Sequence, residues 1–204
     1  MSQKTNKLYS LFSNTAFYSF SQKVMSGTSF RRKIVKKYVT KNNVKVLDIG
    51  CGPAEILDSL PKVKYFGYDI NPTYISHAKK KYGKRGNFYC KKFTLKELKK
   101  LPKFDHVLLL GILHHLDDRE IKYLMSLIKK TLRKKGSIIT GDPILLKKQN
   151  IIAKFIIKND RGNNVRDRKG YLNIIKKYFK NIRSKIYHQK FIPYTWFVMV
   201  CRTS

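Results

Sequence analysis

Acidic residues are scarce in this 204-residue chain, which has 12 Asp and Glu against 45 Lys and Arg and a formal net charge of +33. So basic a balance points to a nucleic-acid or anionic-membrane partner, or else to a lysine-biased coding background. Lysine far outnumbers arginine and is spread over nearly every predicted helix, whereas nucleic-acid sites concentrate arginine. We therefore favour the background interpretation, which argues against specific nucleic-acid binding.

Cysteines and long apolar runs are also scarce. Cys51, Cys90 and Cys201 form an odd, scattered set without metal-ligand spacing, which is typical of free thiols in a reducing compartment and predicts no metal site. No apolar run approaches the length of a membrane span, and the first residues make a poor signal peptide. The sequence predicts one globular, cytoplasmic domain.

The stretch around Gly50 and Gly52 organises the chain. A buried strand is predicted over residues 44–49, then a glycine turn, then a helix that begins at Pro53, where proline is favoured. Glycines let the backbone approach a ligand, and free N–H groups at the helix start would face it. A second strand ends in Asp69, roughly twenty residues past the glycines, where a carboxylate can accept from both ribose hydroxyls.

Two nucleotide ligands compete for this motif. A dinucleotide fingerprint requires a third glycine where Glu55 stands. Asp48, at the end of the first strand, suits a ligand with an amino group better than a pyrophosphate. The set Asp48, Gly50, Gly52 and Asp69 therefore resembles the cofactor site of class I S-adenosylmethionine-dependent methyltransferases, which implies S-adenosyl-L-methionine as the cofactor.

Strands alternate with helices along the rest of the chain. Further helices are predicted over residues 71–82, 94–100 and 117–136, and further strands over residues 87–90, 104–110 and 137–143. Two final strands with a short link should pair antiparallel. The resemblance implies an α/β, class I methyltransferase (Rossmann-like) fold: a seven-stranded, mostly parallel sheet with an antiparallel last strand and helices on both faces.

The resemblance covers nearly the whole chain and implies that residues 1–204 form a single methyltransferase domain. Residues 1–42 would form an N-terminal helical cap that places Tyr18 on the acceptor side, and residues 43–142 the cofactor-binding core. Residues 143–204 would supply a lid helix, an acceptor-side loop and the final strand pair. From Ile144 to Lys158, apolar residues on one helical face and lysines opposite also fit the alternative of a helix on an anionic membrane surface.

The run from Gly111 to Asp118 resembles the fourth motif of the same family. It implies that Leu110 and Gly111 border the methionine portion of the cofactor. Ile70 would lie against the adenine, and Cys51 belongs to the glycine turn. Many members carry an Asp after the third strand to bind adenine, where this chain has Lys91-Lys92.

The pair His114 and His115 either supplies a catalytic base or fixes its loop by hydrogen bonds. Ligands of open α/β sheets bind at the carboxyl ends of the strands, so we expect His114, the lid helix and the loop after it to converge there. Asp160-Arg161-Gly162 and Pro193-Tyr194-Thr195 resemble bacterial methyltransferases of unassigned acceptor. An arginine there suits a carboxylate or phosphate on the acceptor. The acceptor-side candidates are Asp160, Arg161, Arg166 and Tyr194, besides Tyr18.

Methyl transfer to an O, N or C atom of a small-molecule, lipid or glycan acceptor is the predicted function. An RNA methyltransferase, suggested by the charge, is one alternative, but the chain has no Asn/Asp-Pro-Pro-Tyr/Phe motif after the fourth strand. The other alternative is a non-catalytic S-adenosylmethionine-binding protein. The intact cofactor motif argues against it.

Overall fold

A seven-stranded sheet forms the centre of the computed structural model, which describes residues 27–160, 162–189 and 193–203. Its strands are β1 (Lys45–Ile49), β2 (Lys64–Asp69), β3 (Gly86–Cys90), β4 (Phe104–Leu110), β5 (Leu132–Pro143), β6 (Asn181–Gln189) and β7 (Tyr194–Arg202). Its helices are α1 (Thr28–Tyr38), α2 (Pro72–Tyr82), α3 (Leu95–Leu98), α4 (Asp118–Thr131), α5 (Ile151–Lys158) and α6 (Arg168–Ile175). Tyr18 and most of the predicted cap lie outside the described residues.

The strand order is β3-β2-β1-β4-β5-β7-β6. Strands β1 to β5 pair parallel, whereas β7 runs antiparallel to both of its neighbours. Buried clusters cover both faces of the sheet, so the predicted fold class is confirmed. The chain order reverses between β1 and β4, and this is where open α/β sheets bind their ligands.

Side-chain caps start two of the helices. The Asn71 side chain accepts from the backbone N–H groups of Thr73 and Tyr74 at the start of α2. At the start of α4, Asp117 and Glu120 satisfy each other's backbone N–H groups in a capping box. These caps satisfy donors that would otherwise be unpaired in the first turn of each helix.

The prediction of an α-helix that begins at Pro53 is wrong. The chain turns through Ala54, whose φ of 58° is left-handed, and forms only a short 3-10 helix, Glu55–Ser59. Pro61 follows two residues later, and the residue before a proline is biased away from helical geometry. The left-handed turn at Ala54 and the proline at position 61 therefore restrict this connection to a short 3-10 helix.

Two other predicted helix boundaries are also wrong. Helix α4 stops at Thr131 rather than near Gly136, because β5 begins at once and bends at Lys135, which has a φ of 62°. Ile144 is fully buried and continues the sheet by donating its backbone N–H to Thr195. Helix α5 therefore begins only at Ile151, after an Asn150 cap. No helix in the described ranges is long and apolar enough to cross a membrane.

Candidate functional site

A cavity of about 850 Å³ opens at the carboxyl ends of the strands around the switch point. Most of the predicted cofactor residues line it, namely Gly50, Cys51, Gly52, Asp69, Ile70, Leu110 and Gly111. From the predicted acceptor side it is lined by His114, His115, Asp160 and Tyr194. His114 and Asp160 thus converge at the cavity as expected, whereas no residue of helix α5, the predicted lid, lines it.

Asp69 ends β2 at the wall of the cavity, and its carboxylate is held by two backbone donors. The N–H of Gly52 donates to Oδ2 and the N–H of Asn71 donates to Oδ1, each at 2.8 Å. A carboxylate offers about four lone-pair positions, so two stay available after these bonds. The side chain is therefore fixed and can still accept hydrogen bonds from a ligand.

The glycine turn does not offer the free N–H groups that we predicted. The amides of Gly50 and Cys51 donate to the Tyr68 carbonyl at 2.8 and 3.1 Å, and the amide of Gly52 is bound to Asp69. A Cβ atom added at Gly52 would meet no atom within 4 Å. The turn therefore supplies open space rather than donors, which suits a nucleoside better than a pyrophosphate.

Asp48 lies behind the cavity wall and is not among the cavity residues, contrary to the prediction of direct contact. The Tyr65 hydroxyl donates to its Oδ2 at 2.5 Å, and burial raises the Asp48 pKa to about 7. The guanidinium of Arg31, whose pKa burial lowers, lies close enough to favour the charged carboxylate. Asp48 thus belongs to a buried polar group that supports the site.

The cavity next to β3 is bounded by Ile70, which is 74% exposed, and by buried Phe93. Lys91 and Lys92, which stand where many family members have an Asp, also line this end. Lys91 pairs with Glu97 at 2.8 Å. Glu120, which pairs with Lys92 at 3.4 Å, also lines the cavity, so both lysines at this end have an acidic partner.

His114 sits between two carboxylates. Its Nδ1 lies 2.9 Å from Asp142 Oδ1, and its Nε2 lies 3.6 Å from Asp160 Oδ1. These two acids raise the His114 pKa to about 9 although burial opposes the charge, so the ring is protonated at neutral pH. No group of three His, Cys, Asp or Glu side chains in the described ranges is arranged to hold a metal ion.

Asp160 links this histidine to the last strand. The Tyr194 hydroxyl donates to Asp160 Oδ2 at 2.6 Å, and the Gly162 amide donates to Oδ1. The histidine and tyrosine partners hold the Asp160 pKa well below its usual range. His114, Asp160 and Tyr194 thus form a connected polar network along the predicted acceptor side of the cavity.

Arg166 is not in the cavity, contrary to the prediction. Its guanidinium donates to the carbonyls of Leu113, Leu116 and Asn164 and pairs with Asp118 at 2.7 Å. It therefore clamps residues 164–166 onto the loop after β4. Arg161 lies outside the described residues.

Gly162 packs directly against the His114 ring, and a substitution there tests this contact. A Cβ atom at Gly162 would lie 2.0 Å from His114 Cδ2 and 2.8 Å from its carbonyl oxygen. We expect Gly162→Ala to lower the free energy of unfolding in urea by about 1–3 kcal/mol, the usual cost of overpacking. Gly141→Ala, whose Cβ would make an ordinary 3.4 Å contact, is the control. Equal stability of both variants would contradict the packing described.

Sequence reasoning missed the contribution of α1 to the cavity. Thr28 and Arg31 line it, and the Thr28 hydroxyl donates to Glu55 Oε2 at 2.9 Å. The one available signal was the Arg31-Arg32 pair in a chain that otherwise prefers lysine. No sequence pattern indicated that α1 would contact the segment that follows β1.

Comparisons with known proteins agree with this geometry. A family model described as a methyltransferase domain matches residues 47–138. No curated protein sequence matches the chain. An S-adenosylmethionine-dependent methyltransferase from Archaeoglobus fulgidus superposes with a TM-score of 0.70 at 16% identity, over 92% of this chain and 99% of that one.

Two further solved structures share the fold and were crystallised with the cofactor or its product. N-methyltransferase NodS from Bradyrhizobium japonicum, in complex with S-adenosyl-L-homocysteine, has a TM-score of 0.65 at 14% identity, over 86% of each chain. Human N-acetylserotonin methyltransferase, in complex with S-adenosylmethionine, superposes with a TM-score of 0.65 at 18% sequence identity. The match covers 91% of this chain and 55% of that one. Residues 47–138 thus match a methyltransferase domain, and the described part of the chain has the class I methyltransferase fold, with its cavity at the switch point.

Proposed function

We propose that this enzyme transfers a methyl group to a small-molecule acceptor held beside the cofactor in the single cavity described above. The observation that carries the proposal is that one open cavity is lined both by Asp69 and by His114, Asp160 and Tyr194. Its volume of about 850 Å³ lies within the range of ligand pockets. Human N-acetylserotonin methyltransferase, a structural neighbour, is named for a small-molecule substrate.

The chain's residues fit S-adenosylmethionine. Asp69 would accept from the two ribose hydroxyls with its remaining lone pairs, as proposed from the spacing. Ile70 and Phe93 would cover the adenine, with backbone groups in place of a missing acid. The open space beside Gly52, with Leu110 and Gly111, would border the methionine portion.

The charge of the cavity supports a cationic ligand. Within the described residues, four of the chain's 12 acids line it, against three of the 45 Lys and Arg and the protonated His114, so the cavity is close to neutral in a strongly basic protein. The acids are Glu55, Asp69, Glu120 and Asp160. In so basic a protein this concentration lowers the local potential where a sulfonium would lie. The cofactor supplies an already activated methyl group.

Catalysis is proposed to rest on orientation. His114 is protonated at neutral pH and bound on both sides, so it holds the acceptor loop rather than taking a proton. His115 lines the cavity and is exposed, which makes it the better candidate base of the pair. Asp160 and Tyr194 would contact the acceptor, and positioning groups of this kind can supply much of the rate.

An acceptor search with labelled cofactor tests the proposal. The wild-type enzyme, given radiolabelled S-adenosylmethionine and a fractionated cell extract, is expected to label the small-molecule fraction. Asp69→Ala serves as the control without bound cofactor, and its fractions should stay unlabelled. Label confined to ribonuclease-sensitive material would contradict the proposal and favour the RNA methyltransferase. Label in lipid or glycan fractions would contradict it in favour of those acceptors.

A further inference from the structure

Helix α5 is apolar on two opposite sides. Six of its eight residues are apolar and the other two are lysines. Ala153 and Ile157 are buried against the domain, with 2% and 1% exposure. On the other side, Ile151, Ile152 and Phe155 are 85%, 56% and 57% exposed. A contiguous group of exposed large apolar side chains commonly marks an interaction surface, so the outer side calls for a partner.

This outer side stands out from the rest of the described surface. Seven large apolar side chains are exposed on the whole described surface, and three of them belong to α5. Ile70 and Tyr74 line the cavity, where a ligand would cover them. Leu95 and Tyr123 lie on α3 and α4, away from this helix. Among these seven exposed side chains, only those on α5 form a group of three on one helix, and none of the three lines the cavity.

Positive charge surrounds these side chains. Lys147, Lys148, Lys154 and Lys158 are exposed, and residues 143–159 contain no acid. None of the four lysines forms an ion pair within the described residues. A partner that is apolar inside and anionic outside would match both features, and an anionic lipid bilayer has this arrangement.

We propose that α5 docks on an anionic bilayer, with Ile151, Ile152 and Phe155 at the boundary of headgroups and acyl chains and the lysines among the phosphates. Nucleic acid would use the lysines but would leave the three apolar side chains in water. The helix leads directly into Asn159 and Asp160, which line the cavity. Docking would therefore bring the cavity close to the membrane surface. The proposal does not depend on the identity of the methyl acceptor.

Vesicle co-sedimentation of the full chain tests this surface. The wild type is expected to bind vesicles of phosphatidylcholine and phosphatidylglycerol in equal parts and to bind phosphatidylcholine alone much more weakly. The triple variant Ile151→Gln, Ile152→Gln, Phe155→Gln keeps a helix-compatible side chain at each position and should bind at least about tenfold more weakly. Lys154→Gln with Lys158→Gln should weaken binding and flatten its dependence on salt.

The matched control is Leu95→Gln with Tyr123→Gln, which removes exposed apolar side chains elsewhere and should leave vesicle binding unchanged. Thermal melting of each variant verifies that it is folded. Wild-type binding by the triple variant would overturn the proposal. So would a change from dimer to monomer in that variant without an effect on vesicles, since the face would then belong to a second copy. Salt-sensitive RNA binding with no vesicle binding would overturn it as well.

Discussion

Replacing His114 by alanine is expected to destabilise the protein by about 3–5 kcal/mol, the usual cost of removing one partner from a buried ion pair. The variant leaves the carboxylates of Asp142 and Asp160 facing each other across an empty space, with 1% and 22% side-chain exposure. It also removes the ring against which Gly162 packs. The free energy of unfolding in urea at neutral pH is the measurement.

The effect should depend on pH with a definite sign. Because the folded-state pKa of His114, about 9, lies above its ordinary value of 6.5, the ion pairs contribute fully below about pH 6.5 and are lost as the pH rises through about 9. This contribution is about 3 kcal/mol in size. The stability difference between the wild type and His114→Gln should therefore shrink between neutral and strongly alkaline pH.

His106→Gln is the matched control for this titration. His106 bonds Ser137 near the start of β4, and burial lowers its pKa, so no stability should be lost through it as the pH rises. If the difference between the wild type and His114→Gln stayed constant over the same range, His114 would be neutral in the folded state. It would then be available as a base, and our assignment of the ring to the loop would be wrong.

Asp69→Ala is expected to weaken binding of S-adenosylhomocysteine by roughly 100-fold or more, because it removes charged acceptors for two ribose hydroxyls. It also frees the amides of Gly52 and Asn71, which the carboxylate holds. Asp58→Ala removes an acid that pairs with Arg32 and Lys81 away from the cavity, and it should bind normally. Equilibrium dialysis of both variants, with melting curves, separates lost contacts from lost folding. Equal affinities would remove Asp69 from the site.

The sequence was most informative where local chemistry decides the structure. The alternation of strands, the Asn71 cap and the acid at the end of β2 follow from short-range patterns, and all are present in the structure. The convergence of His114 and Asp160 followed from the rule that loops leave the same edge of a parallel sheet. Local patterns and one topological rule thus located the cavity.

Side-chain partners over long separations could not be predicted. Arginine is a typical anion-binding residue, but the donors of Arg166 are already bonded to three backbone carbonyls and to Asp118. The hydroxyl of Tyr65 bonds Asp48 across two neighbouring strands, which no spacing indicated. Helix α5 was predicted as a lid over the acceptor, whereas none of its residues lines the cavity and its large apolar side chains are exposed. Only the packed fold decides which polar groups remain available to a ligand.

Titration calorimetry of the wild-type enzyme with S-adenosylhomocysteine tests the central assignment most directly, since it needs no knowledge of the acceptor. We expect saturable binding of one molecule per chain, with NAD producing no comparable heat because the glycine-turn amides are already bonded within the protein. A folded wild-type protein that binds no S-adenosylhomocysteine, or that prefers NAD, would contradict this assignment.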